Sequence, residues 1–200
     1  MLDKIISLDK ELLVFLNGLG SESFDGFWLF ITKQFYWAPF FLVVFYLLQK
    51  KIGWKNFGYF VFFAAVLLLV CDQTTNLFKN SFQRLRPCND FEIKDIIRIV
   101  KSSKSFSFFS GHAANSMATT VFTYLILKKQ YRYIYLIFLF PLIFAYSRIY
   151  LGLHFPGDIL AGYTFGAVCG LACYKLYRKY VLQNPDLQHP GNGQTIADRQ

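Results

Sequence analysis

Residues 133–176 read YIYLIFLFPLIFAYSRIYLGLHFPGDILAGYTFGAVCGLACYKL, two apolar runs with one polar interruption between them. Each run, 133–150 and 156–176, approaches the roughly 20 apolar residues that carry a helix across the hydrocarbon core of a bilayer. The interruption holds Ser147, Arg148, His154 and Asp158. Charged and imidazole groups at membrane depth are costly unless they pair or do chemistry, so this stretch predicts both a membrane fold and a site.

Working outward, residues 27–49, 57–78 and 108–127 form further apolar runs. Lys33 and Pro39 interrupt the first, which makes 24–35 either an interfacial helix or part of a separate span. The expected fold is all-α, a polytopic membrane helical bundle of five or six transmembrane helices. Composition agrees: 54% of residues are hydrophobic, 20% aromatic and only 16% charged, against about 25% charged in soluble domains. A net charge of +9 would suggest nucleic acid in a soluble chain, but no basic amphipathic helix or zinc pattern supports that here. Anionic lipid is the expected counter-charge, and no nucleic-acid partner is expected. Oligomeric state is not legible. Cys71, Cys88, Cys169 and Cys173 lack CxxC spacing, so neither a disulfide framework nor a metal site is expected.

Toward the N-terminus, Asp3, Asp9 and Glu11 interrupt what would otherwise resemble a secretory signal. Apolar residues there recur near helical spacing, predicting an amphipathic helix over 2–17 at the bilayer surface, within a segment 1–23. The membrane domain is placed at 24–180 and a disordered polar tail at 181–200. Residues 79–107 are expected outside the bilayer, with a short helix across Phe91–Val100. Trp28 and Trp54 fall near span ends as interfacial anchors.

Three polar segments lie at span ends: Lys79 with Arg86-Pro87, Ser110-Gly111-His112, and Ser147-Arg148 with His154 and Asp158. Counting crossings puts all three on one membrane face. Lys50, Lys51 and Lys55, then Lys128, Lys129 and Arg132, then Lys175, Arg178 and Lys179 fall on the other face. The positive-inside tendency makes that basic face cytoplasmic and the polar segments outward-facing, in a multi-pass inner-membrane protein with its site toward the periplasm or exterior.

The segments supply what phosphoryl transfer requires: a nucleophile, a proton donor for the leaving oxygen, and cations around the phosphate. His154 and Asp158 are four residues apart at a helix start, so the carboxylate can orient the imidazole as in a Ser-His-Asp triad. His154 is the expected nucleophile and Asp158 its orienter. Ser110 and Gly111 open a helix whose free N–H groups attract phosphate, and His112 is free to act as the acid. Lys79, Arg86 and Arg148 complete the cage. No metal or cofactor is required by this set. Asp72 and Asn76 share a helix face with Lys79 and are expected to position Lys79 or Arg148 from behind.

These motifs resemble those of the type 2 phosphatidic acid phosphatase (PAP2) superfamily: Lys-x6-Arg-Pro, Pro-Ser-Gly-His and Ser-Arg-x5-His-x3-Asp. They correspond to Lys79–Pro87, Ser110–His112 and Ser147–Asp158, with Phe109 where the family usually has proline. The resemblance covers about 57–176 and implies a phosphohistidine on His154, acid catalysis by His112, and independence of magnesium. It also implies phosphate binding by Lys79, Arg86, Ser110, Gly111 and Arg148. Phe109 in place of proline is expected to loosen the helix start. Implied substrates are lipid phosphates: undecaprenyl diphosphate, phosphatidylglycerophosphate, phosphatidic acid or lipid A phosphate. The alternatives are a lipid phosphotransferase using the same site and a non-catalytic lipid-binding or transport protein on the same fold.

Overall fold

The computed structural model describes residues 2–183, so the expected disordered tail lies almost wholly outside the described residues. Six α-helices follow in order: α1 Leu2–Gly18, α2 Asp25–Ile31, α3 Ala38–Phe82, α4 Gly111–Leu127, α5 Leu139–Tyr150 and α6 Pro156–Tyr177. Short 3-10 turns at Gln34–Trp37 and Ile134–Phe138 lead into α3 and α5, and no strand occurs among the described residues.

The α3 helix is two arms. Gly53 has φ 74 and ψ 165, a conformation open to glycine and strained for other residues, and it breaks the helix there. The arms 38–52 and 54–82 fold back on each other, since the Phe45 and Phe57 rings lie 5.9 Å apart where a straight helix would separate them by about 18 Å. With α4, the 134–150 segment and α6, the arms make five apolar helical passes, a polytopic membrane bundle. Gln34–Asn89 and Pro156–Leu182 are by themselves long and apolar enough to cross a membrane, and Ile134–Tyr150 is a shorter apolar helix.

The apolar run 27–49 is not one span. Helix α2 ends at Ile31, the chain turns through Thr32 and Lys33, and α3 begins only at Ala38. Pro39 therefore does not interrupt a helix; it occupies the first turn of α3, where its missing N–H has no partner to lose. The helix expected across Phe91–Val100 is also absent, replaced by turns. Asn17 takes the backbone groups that such a helix would need: its Oδ1 accepts from Arg98 N at 2.7 Å and its Nδ2 donates to Arg98 O at 3.0 Å.

Asn17 comes from α1, which forms where periodicity predicts it. Leu13 and Asn17 are fully buried against the bundle, while Ile5, Leu8 and Phe15 are at least 60% exposed. The helix is fastened to the bundle by polar ties as well as apolar contact.

The closest helix packing joins α4 to α6. Gly162, Gly166 and Gly170 recur every fourth residue and let the α6 backbone approach Ser110, Ala114 and Ala118 of α4. A Cβ on Gly162 would lie 2.7 Å from the Ser110 carbonyl oxygen and one on Gly170 2.5 Å from that of Ala118. This pairing clamps the starts of α4 and α6 together.

The three basic clusters gather at the end of the bundle away from His154. Lys51 lies over the Tyr131 ring at 5.4 Å, and the Tyr177 hydroxyl donates to the Asn56 carbonyl at 2.9 Å.

Candidate active site

At the other end, α5 stops at Tyr150, Gly152 turns the chain with φ 73, and Pro156 starts α6. Asp158 sits in the first turn of α6, where its Oδ2 accepts the Phe155 N–H at 3.0 Å. The same oxygen is 3.4 Å from His154 Nδ1. His154 is 1% exposed and Asp158 fully buried.

On the opposite ring edge, His154 Nε2 is 3.1 Å from Arg86 NH1. A guanidinium only donates, so Nε2 carries the lone pair and the ring proton sits on Nδ1, facing Asp158. Burial pushes the His154 pKa down to about 3; the Asp158 hydrogen bond opposes this in part, and nearby Arg86 adds to it. The ring is therefore neutral at physiological pH, and its Nε2 lone pair, which accepts from Arg86 here, is the one placed for attack once phosphate engages the guanidinium.

Arg86 is held rigidly. Its Nε donates to Ser105 O at 2.9 Å, NH1 to Leu153 O at 3.0 Å and NH2 to Ser105 Oγ at 2.9 Å. Burial lowers its pKa, with Cys88 and Asp158 opposing the shift, and the guanidinium remains a cation. Arg148 NH1 donates to Thr32 Oγ1 at 2.6 Å, whereas its buried Nε has no partner among the described residues. Such an orphaned donor beside other cations is what an anion would satisfy. The titratable neighbours of His112 are Arg148, His154, Lys79 and Arg86. The six side chains that the sequence assigned to nucleophile, orienter, acid and cage are thus one cluster.

Ser110 caps α4, accepting from Ala113 N at 3.4 Å, and its own N–H donates to the Asp158 carbonyl at 3.1 Å. Gly111 opens the helix with Thr75 at its back. His112 stacks on Phe144 at 5.1 Å, which fixes the ring plane. Ser147, inside the third motif, gives its hydroxyl to the Phe144 carbonyl at 2.6 Å.

Two expectations change. Asp72 contacts neither Lys79 nor Arg148 through a hydrogen bond; it accepts from Asn115 Nδ2 at 2.6 Å, and Asn76 is exposed. Asp72 lies about two turns below Lys79 on α3 and reaches it only through its charge. Nor does Phe109 loosen the start of α4: it is 3% exposed and packs on Phe78 and Phe165 at ring distances of 5.3 and 5.1 Å.

Sequence reasoning passed over Ser107, Arg84 and Asp9. Ser107 Oγ donates a short hydrogen bond to Asp158 Oδ2 and lies 3.3 Å from His154 Nδ1. Arg84 donates through NH1 to Asp158 Oδ1 at 2.8 Å and through NH2 to Asp9 Oδ2 at 2.7 Å, with its guanidinium 3.9 Å from the Phe155 ring centroid. Asp9 Oδ1 accepts the Gly157 N–H at 2.7 Å. The N-terminal helix is therefore wired to the carboxylate that orients His154. Residue type gives little warning of this: Arg84 is one of several cations in its loop, and Asp9 reads as the polar face of a surface helix.

The profile of the PAP2 superfamily matches residues 56–181. A lipid A 4'-phosphatase of Bacteroides thetaiotaomicron is 33% identical over 198 residues, 96% of this chain and 88% of that protein. A lipid A 4'-phosphatase of Porphyromonas gingivalis is 29% identical, over 88% of this chain and 75% of that protein. A transmembrane PAP2-type phosphatidylglycerolphosphate phosphatase from Bacillus subtilis has the same fold, with a TM-score of 0.69 at 18% identity and coverage of 90% of each chain.

Proposed function

The chain belongs to the PAP2 superfamily, and from that premise we propose that it is a lipid phosphatase acting on lipid A or a similar envelope lipid through a phosphohistidine on His154. The observation that carries the chemistry is a buried neutral imidazole, its Nδ1 aimed at Asp158 and its Nε2 at Arg86. The two lipid A 4'-phosphatase relatives support the substrate.

In the first step the Nε2 lone pair of His154 attacks phosphorus as the bond from phosphorus to the lipid oxygen breaks. His112 gives its proton to that oxygen, and the positive charge developing on His154 is met by Asp158 through Nδ1–H. Arg86, Arg148 and Lys79 hold the phosphate oxygens, with the unpaired Arg148 Nε–H among the donors. In the second step water attacks phosphorus as the phosphorus–nitrogen bond breaks, His112 takes a proton from the water, and inorganic phosphate leaves with the Nε2 lone pair restored. The basic clusters at the far end of the bundle favour an outward-facing site.

Arg84 acts through Asp158. Arg84→Ala is expected to lower kcat about 10–100-fold, as loss of an orienting hydrogen-bond partner does elsewhere, with little change in KM. Arg84→Lys should restore part of the rate. Steady-state kinetics of the three proteins check this, and an effect confined to KM would place Arg84 in substrate binding.

The reading is tested by phosphate release from lipid A, phosphatidylglycerophosphate, phosphatidic acid and undecaprenyl diphosphate, using purified protein in detergent with EDTA. Release from lipid A at the highest kcat/KM is the expected result. Release from none of the four by folded protein would overturn the reading.

A further inference from the structure

An apolar cavity of about 360 Å3 opens between the two arms of α3, α4 and the 134–150 segment. Phe140 and Phe144 line it, and Phe144 also stacks on His112, so the cavity adjoins the candidate active site with Phe144 as the shared wall. Its wall is not uniformly apolar. Asp72, Asn115, Ser116 and Thr119 also face it.

Asp72 is exposed on α3 beside exposed Gln73 and Asn76, and at this level of a membrane bundle a carboxylate is expensive to place. It spends Oδ1 on Asn115 Nδ2, while the buried Asn115 Oδ1 has no partner among the described residues. The pair therefore offers acceptor capacity, and no donor among the described residues fills it. Its depth follows from helix rise: Asn115 is about 4.5 Å along α4 from His112, and Asp72 about 10 Å along α3 from Lys79. A lipid held by its phosphate in the cage would bring the atoms joining phosphate to acyl chains to this level, with a chain in the cavity.

We infer that Asp72 and Asn115 form a selectivity station that accepts hydrogen bonds from amide N–H or hydroxyl groups of the lipid next to its phosphate. The ligand class is an acylated amino-sugar phosphate. A diacylglycerol phosphate has no donor there and leaves the acceptors unmet, which a site built for hydrogen bonds penalises. This inference rests on the lipid-phosphatase reading and deepens it. A carboxylate that merely clamped α3 to α4 would support all substrates equally.

The test is the ratio of kcat/KM for lipid A to kcat/KM for phosphatidic acid, in the same mixed micelles, for wild type, Asp72→Asn, Asp72→Ala and Asn115→Ala. The ratio is expected to fall about 10–100-fold in the Asp72 variants, the loss of hydrogen bonds to a charged acceptor. Asp72→Asn keeps the shape and decides the matter if Asp72→Ala fails to fold. An unchanged ratio, with both substrates slowed together or neither slowed, overturns the station while the phosphatase reading stands. No release from either lipid by wild-type protein overturns both.

Discussion

Replacing His154 by alanine lowers phosphate release by at least about 10⁴-fold, the scale seen when a covalent nucleophile is removed. The size of the effect follows from the absence of a substitute. Among the described residues His112 is the other imidazole of the cluster, and it stacks on Phe144 with no carboxylate at hydrogen-bond distance. Cations bind phosphate without attacking it. Because His154 is buried against Arg86 and Asp158, the variant must be shown to fold, by a monodisperse detergent peak and a thermal transition near that of wild type. A folded variant retaining a tenth of the rate would show that another group attacks phosphorus.

The second large effect is on assembly. Gly166→Leu abolishes monodisperse protein, because even the Cβ of the new side chain falls inside the van der Waals shell of the Ala114 backbone. Backbone atoms cannot rotate away, so α4 and α6 must separate. Overpacking of this kind costs about 1–3 kcal/mol at ordinary sites and more where backbone is the obstacle. Separation would also break the Ser110 N–H to Asp158 carbonyl bond that joins the second and third motifs. Gly58→Leu is the control, since a Cβ there meets nothing within 4 Å. Size-exclusion chromatography in detergent distinguishes the two; a monodisperse Gly166→Leu protein at wild-type yield would contradict the packing described.

Much of this was legible from residue order. The apolar runs 57–78, 108–127, 133–150 and 156–176 gave helices, since length and apolarity at membrane depth leave few alternatives. The crossing count put the three motifs at one end, and the structure clusters Lys79, Arg86, His112, Arg148, His154 and Asp158 there. Failure came where tertiary contact overrides local pattern. The run 27–49 breaks at Thr32 and Lys33, while Thr32 serves Arg148 more than a hundred residues away. The loop at 91–100 stays unwound because Asn17 captures Arg98. Asp9, Arg84 and Ser107 were missed because each acts only through Asp158 or its neighbours, and no spacing rule links positions so far apart in sequence. The repeated glycines of α6 were visible and carried the helix contact, yet a small-residue stripe alone does not name its partner helix.

The central claim is that His154 carries the phosphate between the two steps. Rapid acid-free quenching of the protein with lipid A bearing a radiolabelled phosphate tests it most directly. The account predicts a label on wild-type protein that is stable to alkali, lost in acid, mapped to the peptide containing His154, and absent from His154→Ala. Turnover of lipid A by wild-type protein with no such label at any quench time, together with activity in His154→Ala, would contradict it.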